Sequence, residues 1–394
     1  MVKSVYIAAA KRTPTGSFQG ILESFKGHQL GSMAIKALQA DLPLDEVIMG
    51  CVLTAAQGQA PARQASIGAG LPLSVSCSTV NKVCGSGMKA IMFASDQIIV
   101  GHTNSIIAGG MESMTNAPYL LEKARFGYRI GHSHLIDHMY RDGLEDAYQK
   151  NSDGSRIVMG LFAETTAEKY GFTREEQDQF AQETLERALQ AIEKGYFKNE
   201  IAPLEIQNSK SGSILIQDDE PPTRVRPDKF SVLKPAFKRD GTITAATSSS
   251  ISDGASAVWL VGEEKLKTIS VQPLARIVGY ASYSHEPEYF ATAPIGAIQK
   301  LILQINWKLN DVDLFEINEA FAIVPMAVRK ELDIPREKIN IHGGACSLGH
   351  PIGSSGSRIV VTLVHALQQH GLKRGIAAIC IGGGEGAAIA IELT

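Results

Sequence analysis

The chain repeats one pattern of α/β structure near each of its ends. In each copy, a Gly-rich bend precedes a helical pattern and then a buried apolar strand that ends in Gly-Gly. The first copy is NKVCGSGMKA followed by SIIAGG, and the second is NIHGGACSLGHPIGSSG followed by AICIGGG. Because neither half can cover both faces of its sheet alone, the repeat predicts two similar α/β halves that pack against each other.

Apolar runs alternate with helical patterns along most of the chain, which is typical of an α/β core with a mainly parallel sheet. The predicted strands cover 5–10, 47–53, 105–110, 275–281, 313–318, 338–343, 377–384 and 387–393. The predicted helices cover 28–40, 85–100, 174–194, 294–306, 319–332 and 355–369. Pro325 falls inside one of these helices and is expected to kink it.

The stretch from 115 to 250 interrupts this alternation. It is rich in charge, Gly and Tyr, and the capping box of Thr173 and Glu176 introduces its one clear helix. We therefore predict three parts. These are a first core segment at 1–114, an inserted loop domain at 115–250 whose last residues return to the core, and a C-terminal core half at 251–394.

Composition limits the functional classes open to this chain of 394 residues. The formal net charge is −3, which argues against a general binder of nucleic acid or of anionic membranes. The N-terminal apolar run is too short for a signal peptide, and no run reaches the roughly 18 residues that span a bilayer. Five Cys in a chain of this length do not suggest a disulfide framework. These features predict a cytoplasmic protein with free thiols.

Cys84 is the first candidate for chemistry. It lies in NKVCGSGMKA between an extended segment and the start of a helix. The positive end of the helix dipole is expected to lower the pKa of its thiol. Gly85 and Gly87 allow a ligand to approach closely. A reactive thiolate and a small buried core residue are both compatible with this motif.

Two Gly-rich bends near the C-terminus carry further candidates. His350 precedes the bend of GHPIGSSGSR, where it would accept a thiol proton, donate to an oxyanion or serve a structural role. Cys380 lies near the end of a buried strand, and the glycines from Gly382 onward leave backbone N–H groups free to line an oxyanion hole. The run from Gly382 to Ala387 also fits a loose dinucleotide-binding pattern, but too few residues follow it for a βαβ unit.

The segment NEAFA (318–322) follows the predicted strand DLFEI. Asn318 would hold a water molecule or donate to an oxyanion, and Glu319 would orient a neighbour. The same pair suits the start of a helix, because Asn caps helices and Glu favours the first turn. Both interpretations remain open from the sequence.

A zinc site is a less favoured interpretation of the same region. Cys346 and His350 are four residues apart and Cys380 follows them. The paired ligand spacings that are usual in zinc sites are absent. The sequence therefore predicts no bound metal.

Taken in order, these motifs resemble the thiolases, and within them the acetyl-CoA acetyltransferases. The matching segments are VYIAAAKRTPTGSFQG, NKVCGSGMKA, IIAGGMESMTNAPY, GTITAATSSSISDGA, FEINEAFA, NIHGGACSLGHPIGSSG and CIGGGEG. Several motifs in the same order over essentially the whole chain are far more specific than any one of them.

The resemblance implies two βαβαβαββ core halves in a five-layered αβαβα arrangement, with a loop domain inserted in the first half. It implies an acyltransferase of fatty acid metabolism that condenses two molecules of acetyl-CoA reversibly to acetoacetyl-CoA and CoA. No cofactor is expected, because coenzyme A carries the acyl group. Family members are dimers or tetramers, and we expect a homotetramer with no nucleic-acid or membrane partner.

Carried over residue by residue, the resemblance makes Cys84 the acylated nucleophile and His350 the group that takes its proton. Asn318 would complete a first oxyanion hole with His350 through a bound water. Cys380 would remove a proton from the methyl group of the second acetyl-CoA. The backbone N–H groups of Cys84 and Gly382 would form a second oxyanion hole.

A second set of residues aligns with family positions that bind coenzyme A or the acyl group. Ser249 would contact the pantetheine of coenzyme A. Arg224 or Arg226 would lie near its adenine or its phosphates, and the spacing leaves the choice open. Tyr119 and Phe290 would bound a short acyl pocket.

The chain also departs from the family pattern. Glu385 follows the glycines of CIGGGEG where an apolar or small residue is common, and its carboxylate is expected to raise the pKa of Cys380. His342 and Thr247 stand where Asn is usual. Two alternatives therefore stay open: a degradative 3-ketoacyl-CoA thiolase of broader chain length, and a non-catalytic thiolase-fold protein that binds acyl-CoA or a lipid.

Overall fold

The structure is a computed structural model that describes residues 3–40, 43–208 and 212–394. Its strands are β1 Val5–Arg12, β2 Gly16–Ser17, β3 Glu46–Gly50, β4 Ser76–Val80, β5 Ser105–Ser113, β6 Tyr119–Leu120, β7 Ile136–Asp137, β8 Glu145–Lys150, β9 Arg156–Val158, β10 Leu204–Asn208, β11 Gly212–Ile216, β12 Ser252–Gly262, β13 Ala275–Ser284, β14 Leu314–Ile317, β15 Arg374–Ile381 and β16 Glu385–Leu393. Its α-helices are α1 Gly27–Ala37, α2 Pro61–Gly68, α3 Ser86–Val100, α4 Met159–Tyr170, α5 Arg174–Glu193, α6 Pro221–Arg224, α7 Glu263–Leu266, α8 Ala293–Ile305, α9 Ile323–Leu332, α10 Ala345–Leu348 and α11 Ser355–His370.

The first core half has the strand order β1-β12-β5-β3-β4. β3 is parallel to β4 and β5, whereas β12 is antiparallel to β1 and β5. The helices α1, α2 and α3 alternate with the strands, and β12 completes the sheet after the insertion. The strand at 252–262 therefore belongs to the first half. The predicted start of the C-terminal half at 251 is too early, because this strand pairs with β1 and β5.

The second half repeats this order as β13-β16-β15-β14. The predicted strand at 338–343 is reduced to one parallel bridge between Ile339 and Phe315. Asn340 ends the extended segment, because its backbone has a φ of 47°. Its side-chain amide bonds both the N–H and the C=O of Ile317, each at 2.8 Å, and so replaces a strand partner.

Three layers of helices cover the faces of the sheet. β1 and β13 pair antiparallel over Val5–Ile7 and Ala275–Ile277, which joins the two halves into one ten-stranded sheet. α3 and α11 pack between the halves, α1 and α2 cover the outer face of the first half, and α8 and α9 cover that of the second. The resulting order α, β, α, β, α confirms the predicted five-layered fold.

Strand β5 shows why the core strands are apolar on both faces. Ile106 and Ala108 contact the central helix layer, whereas Ile107 and Met111 contact the outer layer of α1 and α2. A strand covered by helices on both sides reads as a continuous apolar run rather than an alternating one.

The described part of the stretch between β5 and β12 adds no strand to the large sheet. Its strands form the two-stranded ribbons β6–β7, β8–β9 and β10–β11. Thr173 caps α5: its hydroxyl accepts the N–H of Glu176, whose carboxylate accepts the N–H of Thr173. The predicted capping box is therefore confirmed.

Helix α9 begins at Ile323 and not at 319. Pro325 consequently lies in the first turn, where no intrahelical partner is needed for its missing N–H. The predicted kink is therefore wrong, and so is the interpretation of Asn318 and Glu319 as the start of a helix.

Within residues 3–40, 43–208 and 212–394, no helix combines the length and the apolar character needed to cross a lipid bilayer.

Candidate active site

The candidate residues lie on loops that follow strands of both halves. Cys84 lies between β4 and α3, His350 between α10 and α11, and Gly382 between β15 and β16. These three residues line one cavity of about 230 Å³. Cys380 is fully buried in β15, close enough to Cys84 for that thiol to influence its pKa. The cavity therefore lies at the junction of the two halves.

The turn that carries Cys84 is strained. Val83 has a φ of 47°, in the left-handed region that a β-branched residue rarely adopts. Ser86 supports the turn, since its hydroxyl accepts the N–H of Lys82 at 2.8 Å and donates to the carbonyl of Val83 at 2.6 Å. The side chain of Asn81 accepts the N–H of Val83 at 3.0 Å. Local hydrogen bonds thus offset part of the strain beside the thiol.

Burial raises the pKa of the Cys84 thiol to about 11, although the backbone N–H of Gly382, which donates to the sulfur, opposes this shift. The expectation of a lowered pKa is therefore wrong. Helix α3 begins only at Ser86, and loss of water around the thiol outweighs the helix dipole. The Cys84 thiol is therefore neutral at rest, and a reaction that needs its thiolate would need a base to take its proton.

His350 is buried in the tautomer that a base requires. The hydroxyl of Ser355 donates to the carbonyl of Pro351 at 2.9 Å, so it accepts from Nδ1 of His350. Nε2 therefore carries the lone pair, and no described residue offers it a hydrogen bond. Burial, followed by the charge of Arg358, lowers the pKa of His350 to about 3. The ring is therefore neutral and Nε2 is free to accept a proton.

Asn318 follows β14 as a fully buried residue. Its backbone N–H donates to the carbonyl of Ala378 at 2.9 Å. Neither side-chain polar atom has a partner among the described residues. A buried amide without partners is costly, so a water molecule or a ligand oxygen is expected there. Ala320 and Phe321, which follow in the chain, line the cavity.

Burial, followed by the nearby Cys84 thiol, raises the pKa of Cys380 well above its ordinary value. Glu385 is not among the causes of this shift, and its carboxylate pairs with the ammonium group of Lys82. The expectation that Glu385 perturbs Cys380 is therefore wrong. No local pattern in the sequence marks this pair, whose members are 303 positions apart.

The cavity is lined mainly by apolar side chains. Ser249 and Phe290 line it as expected from the resemblance. Tyr119 does not: it lies in the β6–β7 ribbon and is 66% exposed. The structure therefore places Tyr119 outside this cavity. The wall comes instead from residues that carry no distinctive local motif, namely Tyr140, Leu144, Val158, Met159, Phe237, Phe321 and Ile352, and from Met114 in the segment MESMTNAPY.

Arg224 and Arg226 lie outside this cavity. Both line a second cavity of about 290 Å³, which shares Ser250 with the first. Arg224 pairs with Glu220, and Arg226 pairs with Asp228. The structure thus places both arginines at one neighbouring site.

Glu319 is a buried anchor for the loop that leads to His350. Its carboxylate accepts hydrogen bonds from the hydroxyl of Thr184 at 2.9 Å and the side-chain amide of Asn340 at 2.8 Å. It also accepts the backbone N–H of Cys346 at 3.1 Å. The orienting role predicted for Glu319 is thus visible as a hydrogen-bond network.

The zinc interpretation has no ligand set in the described part of the chain. Nowhere in it do three or more His, Cys, Asp or Glu side chains converge in a group able to hold a metal ion. The thiol of Cys346 contacts the backbone carbonyl of Glu319 at 3.7 Å instead.

Comparison with known proteins agrees with this architecture. The family described as thiolase, N-terminal domain, matches residues 5–264, and thiolase, C-terminal domain, matches residues 271–393. The chain belongs to the thiolase family. The match to the first domain extends through β12, in agreement with the strand pairing.

Relatives of similar length cover almost the whole chain. A probable acetyl-CoA acetyltransferase of Dictyostelium discoideum is 47% identical over 99% of this chain and 94% of its own length. An acetyl-CoA acetyltransferase of Pseudomonas aeruginosa is 44% identical over 99% of each chain.

Two solved structures are also similar to this chain over almost its whole length. The acetyl-CoA acetyltransferase of Bacillus anthracis has a TM-score of 0.94 and 41% identity, covering 100% of this chain and 99% of its own. A thiolase of Ascaris suum in complex with coenzyme A has a TM-score of 0.92 and 41% identity, covering 99% of this chain and 100% of its own.

Proposed function

We propose that this protein is an acetyl-CoA C-acetyltransferase that condenses two molecules of acetyl-CoA reversibly to acetoacetyl-CoA and CoA. The observation that carries the proposal is the meeting of Cys84, His350 and Gly382 at one cavity, with Cys380 buried beside Cys84. The names of relatives 44% and 47% identical support the choice of substrate.

In the first half-reaction, an acetyl group moves from acetyl-CoA to Cys84. Nε2 of His350 takes the thiol proton as the sulfur attacks the thioester carbonyl. The carbon–sulfur bond to coenzyme A breaks, and the thiol of Cys380 gives its proton to the departing CoA thiolate. Because thiol and imidazole are both neutral at rest, the proton moves together with the attack and not beforehand.

In the second half-reaction, the acetyl group meets a carbon nucleophile. The Cys380 thiolate removes a proton from the methyl group of the second acetyl-CoA, and the enolate carbon attacks acetyl-Cys84. The bond to the Cys84 sulfur breaks, and protonated His350 returns the proton to that thiolate. All three groups thus regain their starting protonation states.

Oxyanions form in both half-reactions. We assign the backbone N–H groups of Cys84 and Gly382 to the oxygen of the acyl group on Cys84. We assign Asn318, through a bound water, together with His350 to the thioester oxygen of the second acetyl-CoA. Donors fixed in a buried site stabilise such charges without reorganisation.

Coenzyme A would extend from the first cavity toward the second. Ser249 would contact its pantetheine, and Arg224 and Arg226 would lie near its adenine or phosphates. Lys229 lines the same second cavity. Three cationic side chains at one site suit a phosphorylated ligand.

The size of the acyl cavity favours short acyl groups. Phe290 and Phe321 are buried in its wall, and bulky fixed rings limit the length of chain that fits. We therefore favour acetoacetyl-CoA over longer 3-ketoacyl-CoA substrates.

We also propose a cytoplasmic homotetramer. All five cysteines are free, which fits a reducing compartment. The segment after β6 exposes large apolar side chains, among them Phe126 at 89% and Ile130 at 97%. Exposed apolar residues close together favour a protein partner, here a second copy.

The test of function is coenzyme A-dependent loss of acetoacetyl-CoA by the purified protein. We expect fast loss in the wild type and none in Cys84→Ser, because a hydroxyl is a far weaker nucleophile. Cys77 is a half-buried cysteine on β4 outside the cavity. Cys77→Ser is therefore the matched control and should keep wild-type activity.

Faster turnover of 3-ketodecanoyl-CoA than of acetoacetyl-CoA would favour the degradative thiolase. Binding of acyl-CoA without acetylation of Cys84 would favour the non-catalytic alternative.

A further inference from the structure

An ion pair joins the two loops that flank the candidate nucleophile. Lys82 lies two residues before Cys84, and its ammonium group pairs with the carboxylate of Glu385, three residues after Gly382. Lys82 follows β4 in the first half, whereas Glu385 begins β16 in the second. The side chains are only 21% and 33% exposed, so solvent screens the pair less than it would a fully exposed one.

The pair acts on a turn that does not hold its conformation without support. Val83, between Lys82 and Cys84, has the left-handed φ of 47°, and strain of this kind persists only where the surroundings impose it. The hydrogen bonds from Asn81 and Ser86 come from the same turn. The ion pair adds a restraint from the opposite half of the molecule.

Glu385 is held firmly enough to serve as the fixed end of this restraint. It lies in register with Ser284 of β13, and the preceding residue is Gly384, with a φ of 81°. A Cβ at Gly384 would lie 2.3 Å from the carbonyl oxygen of His285, so the loop is closely packed there. The pair thus connects a strained turn to an anchored strand end.

We propose that the Lys82–Glu385 pair is a positioning device, which holds the Cys84 turn against the Gly382 loop. It thereby fixes the separation of the backbone N–H groups of Cys84 and Gly382 around the acyl oxygen. The inference rests on the proposed function, because these two donors matter to the reaction only if Cys84 carries the acyl group. Glu385 replaces the apolar or small residue that is common in the family, so the device depends on this chain's own residues.

Three variants test the pair: Lys82→Met, Glu385→Met, and the exchanged double variant Lys82→Glu with Glu385→Lys. We expect each single variant to lower kcat for acetoacetyl-CoA thiolysis by about three- to tenfold with KM changed less than about twofold, since small displacements at a reacting centre cost rate. The exchanged variant should recover most of the loss. Lys267→Met, which removes an ion pair exposed by 62% and 72%, is the matched control and should leave kcat unchanged.

Two further measurements separate positioning from stability and from the proposed function. The single variants should keep the wild-type unfolding temperature within about 2 °C, as expected for a partly exposed pair. They should also change the rate at which iodoacetamide alkylates Cys84, and the exchanged variant should restore that rate.

Wild-type kcat and alkylation rate in both single variants would overturn the positioning role, as would an exchanged variant no better than the singles. An inactive wild type would instead overturn the proposed function, and alkylation would still report on the turn.

Discussion

One hydroxyl selects the tautomer that the proposed role of His350 as a base requires. Ser355 accepts from Nδ1 and leaves the lone pair on Nε2. In Ser355→Ala the imidazole loses this partner, so the hydrogen is free to move to Nε2, where it blocks proton transfer from Cys84. We expect kcat to fall roughly ten- to a hundredfold with little change in KM, because the interaction matters for proton transfer and not for binding.

The control for this variant is Ser354→Ala at the neighbouring position. The hydroxyl of Ser354 bonds that of Ser256 at 2.9 Å, whereas the His350 ring bonds Ser355. The Ser354→Ala variant also loses a buried hydrogen bond, as Ser355→Ala does, but it should keep most of the wild-type kcat. Equal losses of kcat in the two variants would mean that the start of α11 needs these hydroxyls for folding alone.

Single residues show where sequence-based reasoning succeeds and where it fails. Cys84, His350 and Cys380 stand in motifs whose composition suggests their chemistry. The direction of the Cys84 pKa shift was not accessible, because it depends on how far the folded chain excludes water from the thiol. The partner of Glu385 was not accessible either, because it comes from the other half of the chain.

Elements whose defining residues lie close together in the sequence were predictable. The capping box of α5 is one example, because both of its partners lie within four residues. Strand β4 was missed because its sequence, SCSTV, lacks an apolar run, and none of its residues is buried in the structure. The extended segment at 338–343 was overpredicted because the side chain of Asn340 takes the place of a strand partner.

At the scale of elements, a buried arginine joins the end of β1 to the insertion. Arg12 donates to the carboxylate of Glu200 at 2.5 Å and makes two hydrogen bonds to Asp219 at 2.6 and 2.8 Å. Arg12→Met leaves two buried carboxylates without this partner, so we expect the free energy of unfolding to fall by about 3–5 kcal/mol. Urea denaturation measures this loss.

The comparison variant for Arg12 is Arg276→Met. Arg276 pairs with Glu392 through a side chain that is 40% exposed, and exposed pairs contribute about 1 kcal/mol or less. A loss in Arg12→Met no larger than in Arg276→Met would show that water already compensates the buried carboxylates.

At the scale of the whole molecule, the site exists only where the two halves meet. Cys84 comes from the first half, whereas His350, Cys380 and Gly382 come from the second. The internal repeat predicted that the halves pack together, since each leaves a sheet face uncovered. The β1–β13 pairing that joins their sheets spans only three residues of each strand, and no local pattern in the sequence marks it.

The acid stability of the whole molecule depends on histidines that fold in the neutral form. His342 is buried, its Nε2 lies 3.0 Å from Nε2 of His370, and its ring stacks on Tyr196 at 4.8 Å between centroids. Burial, followed by the charges of His370 and Lys194, lowers the pKa of His342 to about 4. This contact joins the end of α11 to the chain that follows α5, so its loss affects the molecule beyond one loop.

The sign of the pH effect follows from the lowered pKa. An unfolded histidine titrates near pH 6.5, so between about pH 6.5 and 4 the unfolded chain binds more protons than the folded one. The free energy of unfolding therefore falls as the pH falls through this window, and His342 adds no further loss below about pH 4. His350, with a pKa of about 3, acts in the same direction.

In His342→Asn, which introduces the residue usual in the family, the decrease in unfolding free energy from pH 7 to pH 5 should be about 2 kcal/mol smaller than in the wild type. Urea denaturation at both pH values measures this difference, with His102→Asn at an exposed position as the control. If His342→Asn and the wild type lose equal stability, then His342 is already protonated in the folded protein at pH 5, and its contact with His370 does not depend on a neutral ring.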